Sequence, residues 1–164
     1  MHEIVGPALL VWLESSSFAA AMRQWMWLYP IVEIVHVTGI ALLVGSIAMF
    51  DLRVLGLSRA LPLDQLARHL LPWSLTGFVI IAISGSMMFS AHATEFWGNP
   101  AFAFKMALIA LAGLNALWFH FGALRNLAGS AVSVPAPAAA KAAAALSIVV
   151  WVGVITCGRL LAYL

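Results

Sequence analysis

The chain has 164 residues, of which 64% are apolar and 9% charged, and its mean hydropathy is +1.04. A soluble domain carries about a quarter charged residues, so this composition excludes a water-soluble fold and specifies a membrane protein. Eight basic and six acidic side chains leave a net charge of +2, without the basic face that nucleic-acid binding needs.

Residues 1–28 precede the first span. They are apolar but interrupted by Glu14, three consecutive serines, Arg23 and Gln24. Trp12, Trp25, Trp27 and Tyr29 are residues that collect where water meets lipid, so the segment is expected to be an amphipathic helix in the interface, packed on the bundle. It lacks the basic start, long apolar run and cleavage site of a signal peptide.

Residues 29–164 read as one all-α, four-helix transmembrane domain, with spans expected at about 31–53, 66–89, 101–121 and 146–163. In the second span, Gly77, Ser84, Gly85 and Ser86 form a small-residue surface that admits a helix or a flat ligand. Asn99 and Pro100 mark the start of the third span, in which Lys105 is expected to snorkel to the headgroups. Residues 125–141 read as a flexible alanine- and proline-rich linker. Cys157, in the fourth span, reads as a small buried hydrophobe. Asp51 and Asp64 are expected to pair with Arg53, Arg59 or Arg68. One set of connections carries Arg53, Arg59, Arg68, Arg125 and Lys141, against Arg23, Lys105 and Arg159 on the other side. That bias predicts a multi-pass protein of a bacterial inner membrane with both termini in the periplasm.

Histidine inside a bilayer is costly, and four of the five histidines fall in or beside the spans. Four antiparallel helices place His36 and His92 toward the outer leaflet, and His69 and His120 toward the inner one. Haem iron takes axial histidines, and a porphyrin needs small residues beside its ligands. Gly39 follows His36, Gly77 follows His69, and Gly113 precedes His120 on one face. The expectation is one or two b haems on these histidines, with Arg53 and Arg68 as candidates for the propionates. No CxxCH, HExxH or phosphate-binding glycine pattern is present in the sequence. Met87 and Met88 near His92, with Met49, raise copper as the alternative ligand.

The segment IVEIVHVTGIALLVGSIAMFDLRVLG, with ARHLLPWSLTGF and ALWFHFG, resembles small four-helix bacterial membrane proteins of unassigned function. More distantly, the layout is similar to the cytochrome b561 and copper-resistance D membrane proteins. The cytochrome b561 likeness implies b haems held by His36, His69 and His120, with His92 as the fourth ligand, that pass single electrons across the bilayer, and the copper-resistance D likeness implies copper uptake. For the electron-relay reading, quinol or a periplasmic redox protein is the expected partner. Copper or small-solute transport, and a structural anchor subunit of a larger complex, are the competing readings; a homo-dimer is compatible with each.

Overall fold

Long apolar runs in a bilayer must satisfy every backbone polar group internally, which leaves the helix as the form of a spanning segment here. The computed structural model describes residues 6–123 and 136–163. Over these residues the chain is all-α, in the order α1 (Ala8–Glu14), α2 (Ser17–Gln24), α3 (Leu28–Leu55), α4 (Leu63–Ala91), α5 (Ala93–Gly98), α6 (Pro100–Trp118), a π-helical turn (Phe119–Ala123) and α7 (Ala138–Leu160). Four of them, α3, α4, α6 with its π turn, and α7, are long and apolar enough to cross a membrane. His2, Arg125 and most of the expected linker lie outside the described residues.

The spans run past their expected ends for readable reasons. α3 begins at Leu28 and stops at Gly56, whose φ of 118° only glycine adopts without strain. The Leu57 N–H closes back on the Leu52 carbonyl, 3.0 Å away, as in a Schellman cap. α7 starts at Ala138, eight residues before the expected span, because the alanine run is strong helix former and continues into it.

α3 packs most extensively on α4, and α6 on α7; the two hairpins meet along α3 and α7. At the α3–α4 contact the backbones touch. A Cβ on Gly77 would stand 2.7 Å from the Leu43 amide nitrogen and 2.9 Å from the Gly39 carbonyl oxygen. Gly39 in turn faces Ile80 and Ile81. The small-residue surface therefore admits a helix there.

The N-terminal segment is two helices, not one. Ser16 breaks the run by accepting a hydrogen bond from the Ala19 N–H, a serine N-cap that starts α2. Both helices dock on one end of the bundle, α2 against α4 and α1 against α5. Arg23 ties them down, donating to the Ala91 carbonyl at 2.8 Å and the Glu14 carbonyl at 2.9 Å. α5, in a stretch that reads locally as loop, is capped from a distance by the Glu14 carboxylate. That group accepts from the Thr94 N–H at 2.9 Å and the Thr94 hydroxyl at 2.7 Å.

Burial by itself raises the Glu14 pKa, but the two Thr94 bonds, aided by the charges of Arg23 and His92, outweigh it and hold the carboxyl below its ordinary range. A depressed carboxylate contributes stability that is complete above the unfolded value and is lost as pH falls through the folded one. The stability gap between wild type and Glu14→Gln is therefore expected to be widest near neutral pH and to close on acidification. Unfolding in detergent across the acid range checks this; a gap constant with pH contradicts it.

Candidate functional site

His36 is half-buried between α3 and α4. The single Ser84 hydroxyl proton goes to the Ile80 carbonyl, 2.6 Å away, so Ser84 Oγ accepts from His36 Nδ1, at 2.9 Å. In the neutral ring Nε2 then keeps its lone pair. The ring lies over Gly85, where a Cβ would meet Cε1 at 3.1 Å. Glycine at 85 thus makes room for the imidazole itself.

His92 is not at the depth of His36. It caps the junction of α4 and α5, 3.4 Å from a Glu95 oxygen, with its ring edge-on to Tyr29 at 5.9 Å. Tyr29 lies seven residues before His36, about 10 Å along the helix. The outer pair of histidines expected from the sequence is separated by that step.

His69 and His120 do share a depth. Ser84 sits opposite His36; Asp51 lies fifteen residues after His36 and His69 fifteen before Ser84. Antiparallel helices of equal rise therefore put His69 level with Asp51, about 22 Å from His36. Phe119 meets Phe50 edge-on at 5.6 Å, which brings the neighbouring His120 to the same level. Both imidazoles are exposed on the protein surface. His120 lies in the π turn Phe119–Ala123, a geometry that recurs at functional sites. Two helical turns earlier, Gly113 has no atom within 4 Å of where a Cβ would stand.

Other candidates have different occupations. Gly39 and Gly77 are filled by the α3–α4 contact, so the room expected beside them for a flat ligand is taken by the facing helix. Arg53 is 7% exposed and committed to the α3–α4 loop, donating to the Leu61 carbonyl at 2.7 Å and the Arg59 carbonyl at 3.1 Å. Neither a propionate nor Asp51 has that guanidinium. Arg68, beside His69, is exposed. Met87 and Met88 pack against Met22, Val32 and Ala91, and Met49 is exposed. Among the described residues no group of three or more His, Cys, Asp or Glu side chains could hold a metal ion. A bis-histidine haem needs only two.

Two side chains carry more than their sequence neighbourhood suggested. Lys105 is half-buried, and its Nζ lies 3.5 Å from where a Gly158 Cβ would stand, inside the α6–α7 contact. It therefore turns inward, where snorkelling was expected. The signal was Gly158, a small residue that leaves space for the stem. Asp51 makes no ion pair with a described residue; the side chain that approaches it from α7 is Ser147.

Residues 9–164 match the Family of unknown function (DUF6644), and the chain belongs to that family. No curated protein and no solved structure matches it.

Proposed function

We propose that this four-helix membrane protein is an electron carrier that holds one b-type haem in the inner half of the bundle, with His69 and His120 as its axial ligands. One observation carries the reading: two exposed imidazoles on different helices stand at one depth, one of them in a π turn. The donor set suits the group, since neutral imidazole nitrogens are the usual axial ligands of a low-spin haem. Gly113, on the face of His120, has no side chain to obstruct a macrocycle, and the exposed Arg68 beside His69 is the candidate for a propionate. The bound haem supplies a one-electron couple, and burial, the ligands and nearby charge set its potential. The likeness of layout to cytochrome b561 proteins supports the same chemistry. The basic connections favour a bacterial inner membrane, with the start of α3 and the end of α7 on the periplasmic side and a quinol or periplasmic redox protein as partner.

The test is the visible spectrum of the detergent-purified protein, oxidised and dithionite-reduced, with haem counted per chain. About one haem with a sharp reduced α-band is expected. His69→Ala and His120→Ala should each abolish that band, whereas His92→Ala and His36→Ala should leave it. A protein that stays colourless after growth with ample haem overturns the reading. So does a band that survives both inner substitutions.

A further inference from the structure

We propose that Asp51 and Ser147 form a proton-binding site inside the bundle, between α3 and α7. Asp51 is 6% exposed, and its Oδ2 is buried without a hydrogen-bond partner. The facing group on α7 is the Ser147 hydroxyl, itself 7% exposed. Toward the near end of the bundle the site is closed by Val54, Ala140 and Ala144, which pack together.

An ionised carboxylate in such a place needs a countercharge, because desolvation without one is far costlier than for the neutral acid. None is supplied. On its own helix, Arg53 is turned to the carbonyls of Arg59 and Leu61. On α4, Arg68 and His69 at this depth are exposed, as is His120 on the π turn. On α7, Lys141 stands six residues before Ser147, more than a turn away toward the helix start. A metal ion is a poorer occupant than a proton: hard cations take six or more oxygens, and the two side chains here offer three. The neutral acid fits what is present. Its O–H can be donated to Ser147 Oγ across the α3–α7 contact, and the remaining carbonyl oxygen is the group that tolerates standing without a partner. Taking up or giving back this proton leaves the covalent structure unchanged and involves no other reactant. The site stands apart from the haem reading, since His69 and His120 enter here only as exposed side chains and not as ligands.

Infrared spectra of the lipid-reconstituted protein at neutral pH, in H₂O and in D₂O, test the site. A protonated-carboxyl C=O band is expected, moving to lower frequency in D₂O and missing from Asp51→Asn. Ser147→Ala should retain that band but displace it, because one hydrogen bond of the acid is lost; this variant answers the question if Asp51→Asn does not fold. Identical carboxyl spectra for wild type and Asp51→Asn, or a Ser147→Ala band in an unchanged position, overturn the proposal. A sodium-dependent loss of the band also overturns it, in favour of a metal cation.

Discussion

Gly77→Ala is expected to loosen the protein more than any other single methyl addition in the described spans. The new Cβ would lie 2.7 Å from the Leu43 nitrogen, 2.9 Å from the Gly39 oxygen and 3.0 Å from the Leu43 Cα. All three are backbone atoms, so no rotamer change relieves the contact and α3 and α4 must separate along the seam. Overpacking of this kind costs about 1–3 kcal/mol, with the upper end expected where the obstacle is backbone. The separation would also disturb the bond between His36 and Ser84, seven residues further along α4. Gly45→Ala is the matched control. Nothing lies within 4 Å of its Cβ position, so the same methyl should be neutral or stabilise by up to about 1 kcal/mol through helix propensity. Denaturant unfolding in a mild detergent compares the two. Equal midpoints would mean that the α3–α4 backbone contact is not what holds the hairpin together.

Arg53→Ala is expected to have a comparable effect by a different route. The guanidinium fork holds the Leu61 and Arg59 carbonyls from inside the bundle, and hydrogen bonds from a charged donor contribute about 1.5–3 kcal/mol each. Removing it leaves two loop carbonyls without their donor and a cavity beside Val54. The loss should be about 3 kcal/mol, with residues 56–62 opened to protease. Arg53→Lys should rescue little, since an ammonium cannot present two donors along fixed directions. Limited proteolysis read alongside unfolding checks both variants, and a lysine variant as resistant as wild type would remove the case for the fork.

The four spans were legible because the signal behind them is crude and cumulative: some twenty apolar residues must be helical to cross a bilayer, whatever their neighbours do. The depth of His69 and His120 followed from the same reasoning, as alternating helix direction fixes which end of each span faces which leaflet. What stayed hidden depends on contacts distant in sequence. α5 is capped by Glu14, eighty residues away, so nothing in residues 92–99 announces a helix. Gly39 and Gly77 are equally good for a porphyrin or a helix, and only the register of α3 on α4 decides between them. Arg53 beside Asp51 in sequence suggests an ion pair. Two residues along a helix point about 200° apart, however, and the arginine turns to the loop instead. Lys105 depends on Gly158 of another span for its space, and composition alone cannot pair those two positions.

The double grip of Arg23 carries a consequence for biogenesis. Its two acceptors lie at sequence separations of 9 and 68, so one is made almost at once and the other emerges only when α4 is complete. Thr94, the partner of Glu14, follows three residues after Ala91. The N-terminal helices therefore have no finished berth while α3 alone has entered the membrane. Their docking marks the moment at which the first hairpin has threaded through and its far end has returned to the starting side. A chain halted between α3 and α4 would leave that latch open, and Trp12, Trp25 and Trp27 would hold the waiting segment at the lipid surface until its partners arrive.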